Sequence, residues 1–176
     1  MIDFAGNYFE LFGLPPRYRF DGETLERAYR ALQSQVHPDR FAGGTDAERR
    51  SALQSSARVN EAYRALKDPV LRAQHMLGLQ GIDALAETDT ALPFDFLERQ
   101  LERREAADAA IEARDVRALS ALVDDILRES RDREAVLAAA LDDAHAYDDA
   151  RTQVRELKFL HKLAADLGAM QDALDD

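Results

Sequence analysis

The sequence predicts an all-α protein in two parts, an antiparallel helical hairpin with short flanking helices followed by a three-helix bundle. Three observations carry this. Strong helix formers (Ala, Leu, Glu and Arg) dominate the 176 residues. Apolar residues recur at helical spacing, and no stretch alternates apolar with polar as a half-buried strand would. Proline, glycine and aspartate punctuate the chain where helices should begin and end.

Asn7 to Gly13 reads as a short apolar helix carrying Tyr8, Phe9, Leu11 and Phe12, broken by Pro15-Pro16. Asp21 can cap the next helix, with Glu23 in its first turn facing the positive end of the helix dipole. That helix places Leu25, Tyr29, Leu32 and Val36 on one face. It must stop near Pro38, because the residue before a proline avoids helical geometry. A second long helix runs from near Asp46 to about Lys67, with a stripe of Ala52, Val59, Ala62, Tyr63 and Leu66. Asp68-Pro69 is a cap plus first-turn proline for a further helix, which carries Leu71, Met76 and Leu77 and ends at Gly78 or Gly81.

Residues 1–80 thus form one part, 81–92 a linker without a clear period, and 93–176 the other. The first bundle helix spans about Pro93 to Ala113. Asp115 caps the second, which carries Val116, Leu119, Val123, Ile126, Leu127, Leu137 and Leu141. The third starts near Asp148 and carries Val154, Leu157, Leu160, Ala164 and Leu167. Short connections make these an antiparallel bundle.

Composition narrows the function. Hydrophobic residues make up 46% and charged residues 32%, as in a soluble globular protein. The absence of cysteine excludes disulfides, thiolate metal sites and cysteine catalysis. No apolar run reaches the roughly 20 residues of a membrane span. The N-terminus has neither basic flank nor long apolar segment, so no signal peptide is expected. A cytoplasmic protein is the simplest reading. The net charge of −11 is uneven: 11 basic and 10 acidic residues lie through Gly78, against 12 and 24 from Leu79 onward. That asymmetry points to two units with different partners, and it argues against nucleic acid.

Candidate functional residues fall in two groups. His37-Pro38-Asp39 sits at the break between the two long helices, where side chains are not spent on packing. Arg27 and Arg30 share one face of the preceding helix, and Arg40 follows the tripeptide. Together they would suit an acidic partner surface, chiefly by steering its approach. The second group is apolar with an acidic rim. At about 100° per residue, Phe159 lies about 200° from Leu157 and should be largely exposed. Leu97 and Leu101 share a face beside Glu98, Glu102 and Glu105, and the pattern alone allows them to line either the bundle core or a protein-binding patch. His75, His145 and His161 have no ligand-like spacing and read as ordinary helix residues, so no metal or other cofactor is expected. Catalysis by His37 and Asp39 would need a nucleophile or metal that the local sequence does not offer.

His37-Pro38-Asp39 and the run Asn60-Glu61-Ala62-Tyr63-Arg64-Ala65-Leu66-Lys67-Asp68-Pro69 resemble the signature of the J-domain. With Tyr8 to Pro15, the extension Arg40-Phe41 and the acidic helical tail, the chain resembles the HscB family over essentially its whole length. At Glu98 that family can carry an apolar residue and at Ala109 an acid. The zinc-binding cysteine module of some members is absent. The resemblance implies an L-shaped molecule in which a J-domain is joined to a C-terminal bundle. It implies a co-chaperone of iron–sulfur cluster biogenesis, not an enzyme, with general protein folding as the alternative. His37, Pro38, Asp39, Arg27, Arg30 and Arg40 would contact a DnaK-like chaperone of the HscA type and stimulate its ATPase. Leu97, Leu101, Glu102, Glu105 and Phe159 would bind an IscU-type scaffold.

Overall fold

A computed structural model describes residues 6–86 and 91–175. Among these, regular structure is helical: α1 (Tyr8–Leu11), α2 (Gly22–Val36), a 3₁₀ turn (Pro38–Phe41), α3 (Asp46–Lys67), α4 (Pro69–Leu79), α5 (Phe94–Glu112), α6 (Val116–Ala139), a π turn (Ala140–Ala144) and α7 (Tyr147–Asp175). No helix of the described residues is long and apolar enough to cross a membrane. The chain divides into two compact units, Met1–Met76 and Leu77–Asp176.

In the first unit α2 and α3 pair, and α1 lies on α3. Phe9, Leu25, Val59 and Leu66 are buried at the centre, and the rings of Tyr29 and Tyr63 stack at 4.1 Å along one side. Local chemistry fixes each end. The Asp21 carboxylate accepts from Glu23 N and Thr24 N. Thr45 and Glu48 form a reciprocal capping box at the start of α3. Asp68 serves two helices, donating its N–H to Arg64 O and accepting from Leu71 N. On α4 the sequence reading needs correcting: Val70, Ala73 and Leu77 are buried, whereas Leu71 is exposed.

The start of α1 leaves no donor orphaned, and one partner comes from far along the chain. Asn7 Oδ1 accepts from Phe9 N and Glu10 N, while Glu10 accepts from Asn7 N. The remaining Tyr8 N–H donates to His75 Nε2 at 3.2 Å. Expected to be an ordinary helix residue, His75 instead stacks its ring on Tyr8 at 4.1 Å. The Arg58 guanidinium lies over the Tyr8 ring at 4.5 Å, and Tyr8 Oη donates to Glu61 at 2.8 Å. The clasp requires a neutral imidazole, and burial, reinforced by the Arg58 charge, holds the His75 pKa below 6.5. A base with a depressed folded pKa contributes stability above its unfolded pKa, and that contribution is lost as pH falls through the folded value. Between pH 7.5 and 5, Tm of the first unit's transition should therefore fall more in the native chain than in His75→Gln, as calorimetry would show. Asp21 and Glu48, whose pKa values are lowered chiefly by hydrogen bonds from Thr24 and Thr45, lose their contributions only in the more acidic carboxylate range. Parallel pH profiles would refute the role of His75.

In the second unit α6 and α7 pair along most of their length, and α5 packs on both. Phe96, Leu119, Ile126, Leu160 and Leu167 form its centre. Leu127, expected in the stripe, is exposed because Ile126 takes the inward position. Arg114 and His145 both adopt φ of 51°, closing α5 and the π turn. His145 is thus a cap in left-handed geometry, a conformation that costs a non-glycine residue about 1–2 kcal/mol.

Candidate functional site

The α2–α3 hairpin holds the tripeptide at its tip. Pro38 ends α2 by sterics and starts the 3₁₀ turn, so the break between the two long helices is itself a short helical turn. His37 caps this turn: Asp39 N–H donates to His37 Nδ1 at 3.3 Å. With Nδ1 accepting, the neutral ring carries its proton on Nε2. The Asp39 carboxylate lies 3.6 Å from Nδ1, and both side chains stand largely in solvent, at 55% and 90% exposure. The Arg40 guanidinium turns back to donate to Ser34 O at 2.8 Å, capping the end of α2.

Arg27 and Arg30 are exposed on α2, as expected, but neither is a bare charge. Arg27 lies 3.7 Å from Asp21 and 3.9 Å from Glu23, and Arg30 is paired with Glu26. Such exposed pairs contribute little, so an incoming carboxylate can displace them. Arg30, His37 and Pro38 line one open depression between the helices; Arg27, Asp39 and Arg40 lie outside it. Its floor is a polar cluster not anticipated from the sequence. Tyr29 Oη donates to Asn60 Oδ1 at 2.9 Å, Gln33 Nε2 donates to the same oxygen, and Ser56 Oγ donates to Gln33 Oε1 at 3.4 Å. Residues 27 and 31 positions apart meet here, which local periodicity does not reveal.

On α5 the core-facing side carries Phe96, Gln100 and Ala107. Leu97 and Leu101 are 44% and 59% exposed, so the structure places them outside the core. Glu102 and Glu105 are exposed beside them. Phe159 is half-buried, not largely exposed, because Phe96 from α5 meets it edge-to-face with ring centroids 5.6 Å apart. One edge of Phe159 thus belongs to the core and the remainder faces outward.

Beneath this face lies a buried ionic network. Arg103 donates to Asp125 at 2.8 Å and pairs with Glu129 at 2.6 Å. Arg133 donates to Glu129 at 2.8 Å and to Gln153 at 3.2 Å, and pairs with Glu156, which is only 3% exposed. The Arg133 guanidinium also lies over the Phe96 ring at 5.0 Å. Burial opposes ionisation of both Arg103 and Glu129, but their hydrogen bonds and mutual attraction prevail. The Arg103 pKa is raised and the Glu129 pKa lowered. The network crosses α5, α6 and α7, and through Arg133 it touches Phe96, the ring that meets Phe159.

Comparison with known proteins identifies both units. Residues 7–75 match the DnaJ domain, and residues 92–168 match the HSCB C-terminal oligomerisation domain. The chain is 46% identical to the co-chaperone protein HscB homolog of Cupriavidus taiwanensis, over 97% of this chain and 96% of that protein. It is 44% identical to the HscB homolog of Burkholderia pseudomallei, over 99% of each. The solved structure of chaperone HscB from Vibrio cholerae superposes with a TM-score of 0.82 at 37% identity, covering 96% of this chain and 99% of that one.

Proposed function

The chain belongs to the HscB family of J-domain co-chaperones, and from that premise we propose that it serves iron–sulfur cluster assembly by coupling two partners. The first unit stimulates ATP hydrolysis by a DnaK-like chaperone of the HscA type, through His37, Pro38 and Asp39 with Arg27, Arg30 and Arg40. The second holds an IscU-type scaffold through Leu97, Leu101, Glu102, Glu105 and Phe159 and delivers it to the chaperone. The nucleotide is hydrolysed by the chaperone, and the chain itself performs no covalent chemistry. The place of action is the bacterial cytoplasm.

The observation that carries the reading is the pairing of two features in one chain. An ordered, solvent-facing His-Pro-Asp turn stands at the tip of a hairpin, and an HscB-type bundle exposes leucines beside carboxylates. The bundle favours a dedicated scaffold partner over general unfolded clients.

The test is single-turnover ATP hydrolysis by the chaperone with chain alone, scaffold alone and both, which should be fastest with both. Phe159→Ala should weaken scaffold binding at least about tenfold, since an interface aromatic anchor is worth about 2 kcal/mol or more. Its stability cost should stay below the roughly 3–5 kcal/mol of a fully buried Phe→Ala, because only one edge is packed. Unchanged binding with a fully core-like loss of stability would remove Phe159 from the interface. No effect of scaffold on the rate would overturn the coupling.

A further inference from the structure

We infer that the scaffold-docking face continues along the whole outward side of α5, with Phe94 as a third apolar anchor and an acidic half-stripe at the other end. The inference rests on the scaffold reading above and extends it to residues not yet assigned a role.

At about 100° per residue, Phe96, Gln100, Ala107 and Ala110 define the inward side of α5. Phe94, Leu97 and Leu101 then fall within an arc of about 60° on the opposite side, at the i, i+3, i+7 spacing of a continuous stripe. Phe94 is 80% exposed, the largest exposure of any large apolar side chain described. An isolated exposed phenylalanine would mean little, but three exposed apolar side chains in one line form a patch.

The same line changes character halfway. Beyond Leu101 it continues through Glu105, Asp108 and Glu112, all exposed. Among the described residues none of these three carboxylates has an ion-pair or hydrogen-bond partner. Of the three arginines of α5, Arg99 is committed to Asp95 and Arg103 to Asp125 and Glu129, and Arg104 is exposed at the edge of the line. This line is therefore apolar over its first two turns and anionic over its last two, with Glu98 and Glu102 flanking the apolar part and Arg104 bordering the anionic part. A partner that matches it carries an apolar surface at one end of its contact and lysines or arginines at the other. This polarity fixes one orientation along the helix, because reversal would bury carboxylates against apolar groups at a steep desolvation cost. The occupant is the IscU-type scaffold, presenting a contact surface of that composition.

The experiment is calorimetric titration of the full-length chain with the IscU-type scaffold at low and high salt. Phe94→Ala should weaken binding at least fivefold at both salts, Phe94→Leu should stay within twofold of the native chain, and Val136→Ala, an exposed apolar residue on α6, should change nothing. Asp108→Lys with Glu112→Lys should weaken binding at low salt and approach the native value at high salt. If Phe94→Ala binds normally while Leu101→Ala does not, the extension is wrong and the scaffold reading stands. If neither matters, the scaffold reading itself fails. Sedimentation supplies the remaining outcome: a concentration-dependent dimer dispersed by Phe94→Ala, with scaffold binding intact, would give the stripe to a second copy and overturn the inference.

Discussion

Replacing His37 with glutamine is expected to abolish stimulation of the chaperone's ATPase while leaving the fold in place. The ring is mostly in solvent, and its one internal bond, from Asp39 N–H, caps a short 3₁₀ turn. Losing such a cap costs about 1 kcal/mol, and exposed substitutions generally cost less. Neither α2 nor α3 depends on it, since α2 ends on the sterics of Pro38 and α3 begins on the Thr45–Glu48 box. What disappears is a rigid donor at Nε2 with its partner Asp39 beside it. Circular dichroism and thermal melts should therefore match the native chain within a few degrees, with stimulation at background. Full stimulation by the variant would remove His37 as the trigger. Loss of fold would show that the turn is structural.

Arg133→Met should cause the largest loss of stability of any single change considered. It leaves Glu156 buried without its cation, and breaking a buried pair from one side costs about 3–5 kcal/mol. For a domain of this size each kcal/mol moves Tm by about 4–8 °C, so the second unit's transition should fall by about 12 °C or more. Adding Glu156→Leu should restore most of the loss, because the uncompensated charge is gone. A double variant as unstable as the single one would show that Arg133 acts by packing on Phe96 and not by neutralising Glu156. Scaffold binding should weaken in the single variant too, since Phe96 carries Phe159.

The sequence was most readable where one residue decides the local geometry. Pro38 ends α2, Asp115 caps α6, and Asp68-Pro69 turns α3 into α4 without any help from distant contacts. It was least readable where neighbouring helices decide. A helical wheel drawn for α7 alone puts Phe159 outside, and only the arrival of Phe96 from α5 covers its edge. Leu71 and Leu127 sit on the borders of apolar stripes, and packing chose Val70 with Ala73 and Ile126 instead. Nothing in the local sequence marks Arg103, Arg133 and Glu156 as one network, because Asp125 lies 22 positions from Arg103 and Glu156 23 positions from Arg133. Phe94 was visible as a residue but not as a surface, since its meaning depends on which side of α5 turns inward. His75 offered no signal at all, because its partner is a backbone N–H 67 residues earlier.

The division into two units, each with its own buried centre, has a consequence for how the partners meet. Under the proposed function, a chain that holds both partners makes the encounter between chaperone and scaffold intramolecular. Carried on one chain, the two partners meet at an effective concentration on the order of millimolar, which raises their apparent affinity for one another by about 10²–10⁴ without a single new contact. Each separate interaction with the chain can then be weak and quickly reversed while the two partners are still brought together. Supplying the two contacts on two separate chains would forfeit that advantage.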